Sequence, residues 1–192
     1  MHPFLVKICL AFGFTLCLLN ISQAKEVYKT DPDHTFVSIS YNHRNYSIQT
    51  SRFDRVTGYI ALNDAGTGGS IDMTIDTKSI STGSAIFNQR IQEGDLFATQ
   101  QFPFATFKSD NILFGKDGIS SIQGELNIKG VTKPIVIQVN YFSCGRNLLT
   151  FQYTCGANAT AKLKRSDFNM GKYVPLVGDE VTIQVAIEAS RE

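Results

Sequence analysis

Histidine is scarce in this chain, with three among 192 residues. Beyond the first few residues only His34 and His43 remain, and their odd separation puts them on opposite faces of a continuous strand. There is no H-x-x-x-H, C-x-x-C or two-histidine-one-carboxylate pattern, so metal chemistry finds no ligand set in the spacing. G-x-S-x-G is missing too. Ser38 and Ser40 follow His34 closely, but hydroxyls alternating along a strand describe a polar face. No glycine-rich loop leads from a strand into a helix: Gly66-Thr67-Gly68-Gly69 reads as a hairpin turn with no lysine after it. Asp72 and Asp76 share a solvent-facing side with Thr74 rather than forming an acid–base pair. A lipid hydrolase would need an activated nucleophile, which these residues do not supply. The sequence thus predicts no enzyme activity, no catalytic residue, no metal site and no resident cofactor.

Charge of one sign is also lacking. Eighteen Lys and Arg balance seventeen Asp and Glu, for a formal net charge of +1. A near-neutral chain gives no footing to a nucleic-acid partner. Its basic cluster Lys162, Lys164 and Arg165 is short and reads as the solvated face of a strand. Past the first segment no apolar run approaches the ~20 residues that cross a bilayer. Internal repeats, low-complexity tracts and linkers are absent, so residues 25–192 read as one domain with enough chain for a sizeable core.

Residues 1–24 stand apart. Lys7 precedes an apolar stretch from Ile8 to Leu19, and Ser22-Gln23-Ala24 sets small residues before a cut. That is the pattern of a cleaved secretory signal peptide, with the cut expected after Ala24. The apolar stretch is short for a membrane anchor. Cys17 follows Leu16, which disfavours a lipid-anchored cysteine. Cys9 and Cys17 leave with this segment. Cys144 and Cys155 remain, and two cysteines in an exported domain are expected to pair. The turn signal Gly145-Arg146-Asn147 is off-centre between them, which predicts a bent excursion pinned at its base rather than a simple cross-strand pair. A redox-active dithiol is the alternative, and the spacing is far from C-x-x-C.

What is abundant is alternation of period two. Val181, Ile183, Val185, Ile187 and Ala189 share one face, as do Ile135, Ile137, Val139 and Tyr141, and Ile71, Met73 and Ile75. Asn63-Asp64-Ala65-Gly66, Lys116-Asp117-Gly118 and Gly178-Asp179 read as turns. Gly130 and Pro134 likewise read as turn residues. Several long strands of this kind make a barrel or a sandwich. From Ser79 to Gln101 the alternation stops. Ser84 to Gln92 predicts about two helical turns, with Ile86, Phe87, Arg90 and Ile91 on a shared face and Phe102-Pro103 ending the segment. Such a helix is placed to cap one end of a barrel.

The interior has two readings. Ala157, Ala159 and Ala161 lie on one face, while Phe36, Phe53, Phe104, Phe107 and Phe114 are candidates for the opposite wall. Small residues facing rings leave room for an elongated apolar ligand. The other reading is a dry core in which the phenylalanines fill that room. Arg90, with Glu93 and Asp95, and Arg165, with Asp167, flank the aromatic segments. Each arginine is a candidate to hold a lipid's polar head. Alternatively, Arg165 and Asp167 fix a turn as a local ion pair.

Taken in order, several of these segments resemble the YceI-like family of periplasmic polyisoprenoid-binding proteins from about Val27 to Ala189. Asp33-His34-Thr35 is similar to the family's Asp-His-Ser, and His43 to its second strand-end histidine. Leu126-Asn127-Ile128-Lys129-Gly130-Val131-Thr132-Lys133-Pro134 matches Leu-x-Ile-x-Gly-Val-Thr-Lys-Pro. Asp95-Leu96-Phe97 ahead of Phe102-Pro103 resembles Asp-Phe-Phe ahead of an aromatic-proline pair. Arg165-Ser166-Asp167-Phe168 ends in Asn169 where the family has glycine. Val177-Gly178-Asp179-Glu180-Val181 opens a closing strand. Phe87-Asn88-Gln89-Arg90-Ile91 departs from the family's Arg-Asp-x-His-Leu, so the rim near the head group differs. The Cys144–Cys155 excursion has the look of a subgroup feature.

The resemblance implies an all-β fold: an extended, eight-stranded antiparallel, lipocalin-like β-barrel with a short capping helix. It implies an exported periplasmic protein that sequesters or transports a long-chain isoprenoid, such as a polyprenyl phosphate or quinone, in the barrel. Lining is expected from the phenylalanines above and from Phe102, Ala159, Phe168 and Met170. Ile86, Phe87, Ile91, Leu96 and Phe97 are expected to form the lid. Transient membrane contact and a homodimer are compatible with this role. The competing function is a protein of envelope stress, or a redox partner, that acts through its surface with no obligatory ligand.

Overall fold

A computed structural model describes residues 25–63 and 67–192. The expected signal peptide, and Asp64, Ala65 and Gly66 of the expected turn after Asn63, lie outside the described residues.

The strands form one antiparallel meander. β1 (Lys25–Thr30) and β2 (Phe36–His43) make a single bent arm, and β3 (Ser47–Phe53) and β4 (Val56–Asn63) make its return. At the tip, three residues join the paired ends His43 and Ser47: Arg44 and Asn45 both take positive φ, 55° and 57°, in a turn closed by Tyr46 N–H donating to the His43 carbonyl at 3.0 Å. β5 (Gly69–Asp76) and the two-residue β6 (Ile80–Ser81) form a third arm around a 3₁₀ turn. The helix α1 (Ala85–Ile91) follows. Then come β7 (Phe104–Gly115), β8 (Gly118–Ile128), β9 (Val131–Arg146), β10 (Tyr153–Lys164) and β11 (Val177–Arg191). β11 pairs with β10 on one side and with both β2 and β1 on the other. The eight arms therefore close on themselves.

The bend between β1 and β2 is stitched to β11. Pro32 can donate no hydrogen bond, so the ladder breaks there. Buried Thr35 replaces it: its hydroxyl donates to the Glu188 carbonyl at 3.1 Å, and Asp31 N–H reaches the same carbonyl at 2.8 Å. His34 stands outside this stitch and holds Asp31 through Nδ1 at 2.8 Å.

Several expectations change. Pro134 is not in a turn but in β9, opposite Glu125 of β8. It is tolerated because β9 ladders with β8 over Val131 to Gln138 and with β10 only over Gln138 to Arg146. At Pro134 the other edge needs no N–H. The turn proper is Lys129-Gly130, with φ of 52° and 76°. Gly178-Asp179 is likewise not a turn but an irregularity inside β11, where the register to β2 shifts between Val177 and Val181. Tyr141 points outward, because a register shift after Ala159 makes Asn140 an extra residue on β9 and brings Phe142 to the interior instead. Phe102-Pro103 does not end the helix. It stops at Ile91, and residues 92–102 continue in turns, with Ala98 at φ 50°. Cys144 and Cys155 are bonded, and they are a directly opposed cross-strand pair, Cα atoms 4.0 Å apart. The off-centre signal misled because the turn lies later, at residues 147–152.

Candidate ligand-binding cavity

The barrel is hollow. A cavity of about 460 Å³ runs from the helix end, at His43 and Leu176, to the far end, at Leu62, Ile119 and Phe142. The inward residues of β11 from Val181 to Ala189 trace its length. That is roughly 30 Å of extended backbone along one wall. Ala157, Ala159 and Ala161 of β10 form the neighbouring wall. Side chains of Leu or Phe size there would occupy the space, so these alanines are the local reason the interior stays open.

The helix end is covered by α1 and the chain after it. Ser84 caps the helix by accepting from Phe87 N–H at 3.4 Å. Phe87 and Ile91, one turn apart, face the barrel with Leu96 and Phe97. Phe97 meets Phe53 edge to face, ring centroids 5.4 Å apart. Ile86 does not join them. A step of one residue rotates it by about 100°, and it stands 81% exposed.

Ion pairs fasten this cover. Arg90 donates from both terminal nitrogens to the Asp95 carboxylate, each at 2.7 Å, and reaches Glu93 Oε2 at 3.0 Å and Tyr173 Oη at 2.6 Å. Lys172 also pairs with Asp95. Hydrogen bonds from Arg90 and then Lys172 hold the Asp95 carboxyl well below the usual carboxylate range. Lys129 Nζ adds bonds to the carbonyls of Gly94 and Asn169. The helix, the 92–97 loop and the 171–176 loop are thereby tied into one rim.

Arg165 lines the cavity but is engaged by the backbone. Its guanidinium donates to the carbonyls of Met170, Lys172, Val177 and Gly178. Burial lowers its pKa. It fixes the loop before β11, and among the described residues it makes no ion pair with Asp167. Asp179 instead accepts from Ser166 N–H and Oγ. Arg44, exposed at the hairpin tip and lining the same mouth, has no ion-pair partner among the described residues. At the far end Tyr28 faces the cavity and donates to Glu26 Oε2 at 2.7 Å. Burial, then Glu26, pushes its phenol up to about 12.

Of the other expected lining residues, Phe53, Phe107, Ala159 and Met170 are in the cavity wall. Phe36 is outside, under the guanidinium of Arg52 at 4.5 Å, because the bend at Pro32 resets the inward face to Val37 and Ile39. Phe104 is exposed. Phe102 packs beside Gly130, where an added Cβ would sit 3.0 Å from its ring. Phe168 is buried in the apolar core and Phe114 packs against it, both away from the cavity. Glu188, Asp31 and His34 come within 4.8 Å of one another, a set invisible in linear spacing because β11 supplies the glutamate. It is a surface feature, with His34 and Glu188 exposed.

A YceI-like domain matches residues 28–189. A UPF0312 protein of Ectopseudomonas mendocina is 28% identical over 160 residues, covering 83% of each chain. Another, from Vibrio vulnificus, is 28% identical over 176 residues and 90% of each chain. Among solved structures, BcnA of Burkholderia cenocepacia aligns with a TM-score of 0.70 at 26% identity, over 83% of this chain and 98% of that one. A polyisoprenoid-binding domain from Saccharophagus degradans, implicated in plant cell wall breakdown, shares the fold with a TM-score of 0.64 at 18% identity, over 86% and 98%.

Proposed function

The chain belongs to the YceI-like family, and from that premise and the cavity's lining we propose that it is an exported binding protein that sequesters or carries a long-chain isoprenoid or similar amphiphile. The observation that carries the reading is the length and chemistry of the cavity: a continuous apolar wall, with polar side chains gathered at its two ends. An extended hydrocarbon chain meets that pattern along its whole length. Each CH₂-sized group taken from water favours binding by ~0.8 kcal/mol, less the cost of ordering the chain. The polar head lies at the helix-end mouth, near Arg44 and His43, since Arg165 is engaged by carbonyls and Arg90 by Asp95, Glu93 and Tyr173. The polyisoprenoid-binding Saccharophagus domain lends support through its fold.

No chemical step is assigned; the role is burial and release. Release requires an acceptor membrane or protein, or movement of the cover. The pattern of residues 1–24 supports a periplasmic location. Native mass spectrometry of the mature protein, followed by solvent extraction, tests the reading. A stoichiometric polyprenyl or quinone species is expected. An empty barrel that also refuses added isoprenoids would overturn it in favour of a surface-acting role in the envelope.

A further inference from the structure

The end of the barrel opposite the helix carries a second apolar feature, outside the cavity. In the β9–β10 turn, Leu148, Leu149 and Phe151 stand 82%, 90% and 70% exposed. Water is a poor environment for three such side chains on one short loop.

The backbone of that loop is turned inward. Asn147 Oδ1 accepts from the N–H groups of Leu149 and Thr150, at 2.9 and 3.2 Å. Asn147 N–H donates to the Gln152 carbonyl, Phe151 N–H to the Asn147 carbonyl, and Gln152 N–H to Thr150 Oγ1. Five of the six N–H groups from Asn147 to Gln152, all but that of Leu148, are bonded within the loop, which leaves little for water to complete when the apolar side chains enter hydrocarbon. The Cys144–Cys155 bond closes the base of the hairpin, and Cys155 also forms part of the cavity wall.

Charge agrees. Between the closing cysteines, from Cys144 to Cys155, the chain has no acidic residue and one cation, Arg146. Arg146 adjoins the tip and makes no ion pair among the described residues. An apolar tip with a cation at its base and no acid between the cysteines suits the surface of an anionic bilayer. A protein partner would need a broad, flat patch, and this is a finger of three side chains.

We propose that the Leu148–Phe151 tip is a membrane-docking finger, which inserts into the outer layer of an anionic bilayer and sets the far end of the cavity against it. Docking rests on the hairpin alone; only its use in cargo exchange rests on the carrier reading.

The chain has no tryptophan, so an introduced one reports by itself. In the oxidised protein, Leu149→Trp emission should move to shorter wavelength with phosphatidylethanolamine–phosphatidylglycerol vesicles and be quenched by brominated lipid. Ile86→Trp, at the helix end, should do neither. Replacing Leu148, Leu149 and Phe151 together by Ser should weaken vesicle co-sedimentation by about tenfold or more and leave the lipid content of the purified protein unchanged. No shift at position 149, or an equal shift at position 86, overturns docking, whatever the barrel contains. A native dimer made monomeric by the Ser variant would also overturn it, by assigning the tip to an interface between copies. Lipid content, read separately, tests the carrier role.

Discussion

Arg90 and Asp95 meet in a two-pronged ion pair, 2.7 Å on each side, that closes the helix and its following loop over the barrel mouth. Sequence proximity alone would permit many geometries. Tyr173 selects this one by accepting from the same guanidinium nitrogen at 2.6 Å.

Arg90→Met keeps the apolar stem and removes the donors. Cargo exchange should quicken by about two- to fivefold, the size expected of partly exposed pairs, with little change in the barrel's melting temperature. Stopped-flow transfer of a fluorescent isoprenoid to vesicles measures it. The lowered pKa of Asp95 sets the acid limit. Its stabilising effect is present above the unfolded carboxylate value of about 3.9, and it is lost only as pH falls through the lower folded value. The latch should therefore hold in mild acid.

His34 titrates in the opposite sense. Its bond to Asp31 raises its pKa, while the same bond lowers that of Asp31. The His34 contribution is complete below about pH 6.5 and fades as pH rises through the raised value; that of Asp31 is present above about pH 3.9. His34→Gln should thus lower the melting temperature more at about pH 5 than at about pH 8.5. An equal loss at both would assign the histidine a purely steric role.

Ala159→Phe should fill the cavity at low cost. The residue is buried and faces open volume, so stability should change by less than about 1.5 kcal/mol while bound lipid falls sharply. Thermal melting and native mass spectrometry together read both effects.

Gly124→Ala should behave in the reverse way. An added Cβ would lie 2.4 Å from the Lys108 carbonyl oxygen and 2.6 Å from the Phe107 ring. The oxygen belongs to β7 beside its register shift and cannot retreat without disturbing the ladder. A loss of about 1–3 kcal/mol is expected in denaturant unfolding.

Replacing Cys144 and Cys155 by Ser should cost about 2–3 kcal/mol in the chain-entropy account of a short closed loop. Unfolding of the oxidised protein and the double variant in urea gives the difference.

The closed barrel was legible where one face alternated without interruption. Val181 to Ala189 and Ile71 to Ile75 line the interior as their pattern predicts, and the three alanines of β10 border the cavity. Legibility failed at irregularities. Asn140 adds one residue to β9 and exchanges the faces of Tyr141 and Phe142; only the partner strand reveals such a shift. Pro134 resembles a turn residue until the strand beyond it is known to be unpaired. Phe36 and Phe104 suggest interior lining by their size, yet position on the pleat decides what an aromatic ring faces, and Phe168 sits in a 3₁₀ turn that no alternation foretells. The exposed apolar tip is not legible because Leu148 and Leu149 follow a turn signal, where apolar side chains carry no period.

Gln138 is the residue that the two ladders of β9 share: it stands opposite Ser121 on one side and Thr160 on the other. Above it the strand is held by one neighbour, below it by the other. A wall sewn in this alternating way has slack across the seam. At this seam the wall can widen without breaking a rung, whereas the β10–β11 ladder, unbroken from Thr154 to Lys164, cannot.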